Sequence, residues 1–223
     1  IHGSAFGVLK WAMSIDGRLA LNNGKSKWIT NGNSRSLVHK LRSQFDAIII
    51  GGNTLRKDNP LLTTRGIKKT EPLRVVFTRT LDLPITANLW NTSESKTLVI
   101  YDCSKANEDF LIKIPENVEI QKVSSDNPKN ISKILAQKGC NKVLWECGPE
   151  LATAAVKAGC IQEFITFIGP KILGGEKSMT PFSNFKFNSM DDVINLELQE
   201  INSCEKDLIL RSSFKEHNFQ NLF

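Results

Sequence analysis

Two charged side chains stand among apolar neighbours in this sequence. Lys10 interrupts the run Leu9-Lys10-Trp11-Ala12-Met13. Burying an unpaired ammonium is costly, so this lysine must find a partner, face a cavity or reach solvent at a strand edge. Glu146 follows Val143-Leu144-Trp145 and precedes Cys147-Gly148-Pro149-Glu150-Leu151. This reads as a strand that delivers a carboxylate at its carboxyl end, with a helix opening at once. The free N–H groups of a helix start bind anions, and Pro149 sits where a first turn tolerates proline. An ordinary strand-to-helix turn has the same pattern. Asp46-Ala47-Ile48-Ile49-Ile50-Gly51-Gly52 ends in glycines that let a ligand approach the backbone, and Asn53-Thr54 follows. Asp58-Asn59-Pro60-Leu61-Leu62-Thr63-Thr64-Arg65 then supplies an acid, a rigid turn and a guanidinium. His39 and Arg42 share a helical face three residues apart, and His39 reads as a helix-surface histidine.

Other chemistries lack their residues. There is no Gly-x-Gly-x-x-Gly after the first strand, no phosphate loop ending in Gly-Lys-Ser/Thr and no Gly-x-Ser-x-Gly elbow. A zinc deaminase needs His-x-Glu with Pro-Cys-x-x-Cys, which this sequence does not contain. Only His2, His39 and His217 are present, none at ligand spacing with a cysteine, so we expect no metal. The five cysteines form no Cys-x-x-Cys pair and read as free thiols, with Cys147 a small buried one. Trp11, Trp90 and Trp145 read as core or interface. Lysine and arginine exceed acidic residues by 29 − 23 = 6. That excess is spread along the chain, either as a solvated surface or as attraction for small anions. No dense basic run or helix-turn-helix points to nucleic acid. No apolar run approaches the ~20 residues of a membrane span. The opening Ile-His-Gly-Ser has neither an initiator Met nor a signal pattern, which suggests a domain cut from a longer chain.

The positioning elements follow from hydrophobic patterning. Apolar runs predict strands over residues 6–13, 46–50, 73–77, 97–101, 142–146 and 164–168, with a short strand at 15–20. Helices are predicted over 33–44, capped by Asn33 or Ser34, over 131–138, and from 148 through 157, closed by Ala158-Gly159. Two β-rich pieces, 193–198 and 207–214, suggest an antiparallel edge. Strands alternating with helices predict an α/β sheet covered on both faces. With no repeat or linker, residues 1–223 read as one domain.

Taken in order, LKWAMSIDGRLA, GKSKWIT, DAIIIGGNTLRKDNPLLTTR, LWECGPELA and IGPKILGG resemble the reductase domain of the bifunctional deaminase/reductase of riboflavin biosynthesis. They span residues 9–175 in family order. The resemblance implies a dihydrofolate-reductase-like fold and a homodimer. It implies that NADPH delivers hydride to C1′ of the ribose of 5-amino-6-(5-phosphoribosylamino)uracil, giving the ribitylamino phosphate. Ala12, Trp28, Thr54 and Asp58 would line the NADPH site. Gly148, Pro149, Glu150, Leu151, Ala152, Thr153 and Ala154 would hold its pyrophosphate. Ser26, Arg42, Leu62, Arg65 and Glu146 would contact the substrate, with Arg42 and Arg65 gripping its phosphate. Arg79 falls at the adenosine end and would suit a 2′-phosphate, although the family often has a small hydroxyl residue there; Thr78 and Thr80 are alternatives. The location implied is cytoplasmic, or plastid for a plant parent.

Catalysis is then assigned among Lys10, Glu146 and Asp16. Lys10 would stabilise charge or hold a ribose hydroxyl, and Glu146 or Asp16 would relay a proton. Two other readings compete. One is a pteridine or folate reductase of the same fold, which the two arginines disfavour because folates carry no sugar phosphate. The other is a nucleotide-binding module without catalysis, which the intact set Lys10, Asp58 and Glu146 disfavours.

Overall fold

The structure is a computed structural model that describes residues 3–183 and 185–215. His2 and His217 lie outside the described residues. Among the described residues, nine strands form one sheet in the order β5-β4-β3-β2-β6-β1-β7-β9-β8. They are β1 (Phe6–Ser14), β2 (Ala47–Gly51), β3 (Leu73–Thr78), β4 (Thr97–Asp102), β5 (Glu119–Val123), β6 (Lys142–Trp145), β7 (Glu163–Gly169), β8 (Leu196–Cys204) and β9 (Asp207–Phe214). The first seven pair in parallel, and β9 and β8 close one edge antiparallel. This is the α/β architecture with an antiparallel edge that the patterning predicts.

The apolar runs follow from burial on both faces. Ile48, Ile49 and Ile50 are fully buried; Ile49 packs into one core cluster while Ile48 and Ile50 pack into the other. The first cluster is covered by α3 (Pro128–Gln137) and α4 (Pro149–Lys157), the second by α1 (Gly32–Arg42) and α2 (Gly52–Asp58).

Several local expectations change. Residues 15–20 form turns, not a strand. The cap of α1 is Asn31, whose side chain accepts from the Ser34 N–H, so the helix begins earlier than Asn33 or Ser34 would place it. The predicted helices do not include α2, which begins at Gly52 directly after β2. β5 is exposed along much of its length and lacks an apolar run. The penultimate strand is displaced from 193–198 to Leu196–Cys204, because its residues are exposed on both faces and carry little burial signal.

The start of α1 is tied to the β8–β9 turn. The buried Asp207 accepts from the Ser34 hydroxyl at 2.6 Å and from the Asn31 N–H at 2.8 Å, and Asn31 Nδ2 donates to the Cys204 carbonyl at 2.7 Å. Replacing Asp207 by Ala strands two donors, one of them buried. We expect a loss of about 1–3 kcal/mol in urea unfolding; an unchanged midpoint would show that the turn does not anchor this helix.

Candidate active site

The carboxyl ends of the central parallel strands open into a cleft of about 1700 Å³. Pockets for one small molecule usually measure roughly 300–1000 Å³, so this cleft has room for two ligands side by side. It lies where the strand order departs from chain order, at the β2-β6-β1 centre of the sheet, the usual ligand position in open α/β sheets.

A buried ion cluster forms one wall. Arg42, at the end of α1, donates from Nε to Glu146 Oε1 at 2.7 Å and from Nη2 to Oε2 at 3.2 Å. Lys10 Nζ, from β1, lies 3.7 Å from Glu146 Oε2. The three side chains are only 11–13% exposed. The pairing arises because Leu9 of β1 is in register with Trp145 of β6, which sets Lys10 beside Glu146. Burial alone would raise the Glu146 pKa, but Arg42 and Lys10 outweigh it and hold the carboxyl at about 2. Burial depresses the Lys10 pKa, while Glu146 opposes that shift. Lys10 Nζ also sits 5.4 Å from the Phe167 ring centroid, which closes its far side.

Arg42 makes a third bond: its Nη1 donates to the Thr63 carbonyl at 3.2 Å. His39 Nδ1 meets the same carbonyl at 3.0 Å, so the ring donates from Nδ1 and keeps Nε2 as an acceptor. Burial lowers the pKa of this ring, with Arg42 and Arg65 adding to the effect. The surface reading of His39 is thus corrected: it is partly buried and lines the cleft. Its spacing from Arg42 was the available signal. Arg65 lines the cleft from an exposed loop and forms no ion pair among the described residues. Both arginines line the cleft; Arg42 is also bonded to Glu146 and Thr63, whereas Arg65 is not.

Two residues after Glu146, α4 begins at Gly148, which offers no side-chain acceptor to cap the helix. Gly148, Pro149, Glu150, Leu151 and Ala154 line the cleft. Ala152 and Thr153 face the core instead, and the Thr153 hydroxyl accepts from the Ser183 N–H at 2.8 Å. Ala12, Ser26, Trp28, Thr54, Asp58, Leu62 and Arg79 line the cleft too. Arg79 pairs with Glu150 at 3.3 Å on the surface. Thr78 and Thr80 also line the cleft; Thr78 is buried and its hydroxyl accepts from the Leu81 N–H. Trp28 is 59% exposed and carries the Arg35 guanidinium 4.1 Å from its ring centroid, a stack that the sequence reading missed.

Asp16 is not among the cleft residues. Its carboxylate accepts from the Ser14 hydroxyl at 2.5 Å, the Gly174 N–H at 2.7 Å and the Leu173 N–H at 3.1 Å, and these bonds, Ser14 first, hold its pKa at about 2. It braces the glycine-rich bend after β7. Among the described residues no group of side chains is disposed to hold a metal ion.

Glu146 makes the site sensitive to acid. Its depressed pKa contributes stability in full above the ordinary carboxylate range, and that stability is lost as pH falls through the folded value of about 2. Glu146→Gln should be less stable than the parent at pH 7, and the difference should shrink on titration below the ordinary carboxylate pKa. Parallel urea-stability curves for the two proteins across that acid range would disprove the coupling.

The chain matches the RibD C-terminal domain family over residues 5–210. It is 43% identical over 197 residues to the riboflavin biosynthesis protein RibD of Synechocystis sp., covering 87% of this chain and 53% of that protein. Among solved structures, RibD of Acinetobacter baumannii superposes with a TM-score of 0.82 at 27% identity, covering 96% of this chain and 59% of that one. The chain therefore spans just over half the length of these relatives. A dihydrofolate reductase from Enterococcus faecalis matches with a TM-score of 0.52 at 11% identity over 94% of this chain and 96% of that one, a likeness of fold alone.

Proposed function

Because the chain belongs to the RibD C-terminal domain family, we propose that it is an NADPH-dependent reductase of riboflavin biosynthesis. Its substrate is 5-amino-6-(5-phosphoribosylamino)uracil and its product the corresponding ribitylamino phosphate. The observation that carries this reading is the buried Lys10–Glu146–Arg42 cluster in the wall of a cleft large enough for two ligands.

The cleft fits a dinucleotide on one side. Gly148 leaves the start of α4 uncapped, so the N–H groups of its first turn are available to a pyrophosphate. At Gly52 a Cβ would press on Thr78 Oγ1 at 3.2 Å and Leu83 Cδ2 at 3.3 Å, so the chain beside Asn53 and Thr54 is kept bare and close-packed. Arg79 and Thr80 at the far end suit a 2′-phosphate, which favours NADPH over NADH. When bound, the nicotinamide supplies the hydride.

The protein's own groups manage charge and protons on the other side. Opening of the ribosylamine moves a proton to the ring oxygen and leaves an imine with an electrophilic C1′. Lys10 holds a proton at Nζ and donates it as a hydrogen bond to that oxygen. Glu146 remains an anion that orients Lys10, since a carboxyl with a pKa of about 2 is a poor proton donor at neutral pH. Arg42 fixes Glu146, and Arg65 holds the phosphate. Across the reaction, hydride enters at C1′ and one proton at the former imine nitrogen.

The decisive assay follows NADPH absorbance with the deaminated and non-deaminated ribosylamino-pyrimidine phosphates, and with NADH in place of NADPH. Oxidation of NADPH with neither substrate would refute the reading. Lys10→Met should lower turnover by more than about tenfold while NADPH still binds; near-normal turnover would remove Lys10 from the mechanism.

The reading includes a homodimer, and the β8–β9 edge supports it. A bulge between Leu198 and Glu200 inserts one extra residue into β8. That residue puts Ile201 on the same face as Leu196 and Leu198, beside Leu208 and Leu210 of β9. Leu196, Leu198, Ile201 and Leu208 are 42–61% exposed, an apolar stripe that a second copy would cover. Leu198→Glu with Ile201→Glu should convert a dimer to a monomer in light scattering; a parent that is already monomeric would refute the dimer.

A further inference from the structure

The loop that carries Leu62 and Arg65 is held in an unfavourable backbone conformation. Asn59, Leu62 and Arg65 adopt φ values of 40°, 56° and 55°, and Gly66 follows at 79°. Asparagine and glycine visit this region readily, whereas leucine and arginine do so at a cost and need surrounding contacts to keep them there. Leu62 and Arg65 are also the residues of this loop assigned to the substrate, so the cost falls where the ligand is held.

The restraints can be traced. Asn88 donates from its backbone N–H to Asn59 Oδ1 and from Nδ2 to the Asn59 carbonyl, both at 2.7 Å. Arg42 and His39 hold the Thr63 carbonyl. Around Arg65 itself the restraint is one carboxylate. Glu71, two residues before β3, accepts the Thr64 N–H at 2.6 Å with one oxygen and the Thr64 hydroxyl at 2.6 Å with the other. It takes a longer bond from the Gly66 N–H at 3.5 Å. The residues before and after Arg65 are thus fastened to the same side chain. Thr64 is fully buried, which gives the clamp a fixed base. The Thr64 hydroxyl in turn accepts the Lys68 N–H at 3.2 Å, and Lys68 Nζ donates to the Phe45 carbonyl at 3.1 Å, tying the loop to the core.

We propose that Glu71 is a positioning residue that locks the backbone on both sides of Arg65 and thereby sets the affinity of the site for the phosphate monoester end of its substrate. This rests on the reading of Arg65 as the phosphate ligand. The chemistry requires a carboxylate, because two acceptor oxygens serve three donors and an amide would present its own N–H groups to one of them. An exposed arginine on a free loop loses conformational entropy when it closes on a phosphate; one whose backbone is already locked loses less, and the difference appears as affinity.

A double-mutant cycle with ribose 5-phosphate as probe tests this. Arg65→Ala and Glu71→Ala should each weaken binding by about tenfold, and the double variant should be no weaker than either alone, because Glu71 acts only through Arg65. Binding of unphosphorylated ribose and of NADPH, read by tryptophan fluorescence, should be unaffected by Glu71→Ala. In turnover, KM for the phosphorylated substrate should rise far more than kcat falls. Should Glu71→Ala compromise folding, Glu71→Gln provides the milder case, with an intermediate loss expected. Binding by both Glu71 variants equal to the parent, while Arg65→Ala weakens it, overturns the role of Glu71 and leaves Arg65 standing. Multiplicative losses in the double variant overturn it as well. Equal binding by the parent and Arg65→Ala overturns the phosphate assignment itself, and the role of Glu71 with it.

Discussion

Two cations and one carboxylate are withdrawn from water in the wall of the cleft, and much of the structure is arranged to make that tolerable. Removing one member would strand the others in a medium where an unpaired charge is costly. Each must therefore be delivered accurately from a separate element: Lys10 by β1, Glu146 by the end of β6, and Arg42 by the last turn of α1. Register supplies the first two, since β1 and β6 are neighbours. Arg42 depends on where α1 begins, which is fixed by Asp207, the first residue of β9. An edge hairpin remote in sequence thereby helps to place the guanidinium that orients Glu146.

With Lys10 protonated, as the proposed mechanism has it, the cluster keeps a residual charge of two positive against one negative on Glu146. In a partly desolvated wall that excess is weakly screened, and it faces the space where an anionic substrate is proposed to lie. The start of α4, two residues beyond Glu146, adds the positive end of its dipole. The cleft is thus biased toward anions by two means, fixed charge and backbone dipole. A modest net charge of +6 spread over the chain says nothing of this, since the local field comes from placement, not total.

Much of this was legible in the residues themselves. The Ile48-Ile49-Ile50 run announced a strand buried on both faces, and Lys10 among apolar neighbours announced a need for a partner, which Glu146 supplies. Gly148-Pro149 marked the start of α4. What escaped notice depends on contacts between residues distant in sequence. Nothing local distinguishes Asp16, bonded to the glycine-rich bend, from an acid facing the cleft. Nothing around Arg42 in the sequence announces its pairing with Glu146, 104 residues away. Glu71 has no motif at all, because its function is to fold the chain back over seven residues onto Thr64. Strand β8 escaped for another reason: with both faces exposed in the single chain, it has no burial pattern to read.

The missing Gly-x-Gly-x-x-Gly takes its place in the same argument. That fingerprint solves a packing problem in which a phosphate must approach a tight turn between a first strand and its helix. Here the helix start proposed for the pyrophosphate belongs to α4, after the sixth strand, and only one glycine precedes it. A Cβ at Gly148 would meet nothing within 4 Å, so glycine at this position relieves no contact within the chain. The space it leaves lies toward the cleft, at the mouth of an uncapped helix. Absence of the familiar motif therefore carries no weight against dinucleotide binding in this fold. The physical requirement is a free helix terminus with bare backbone beside it, and Gly148 meets that requirement alone.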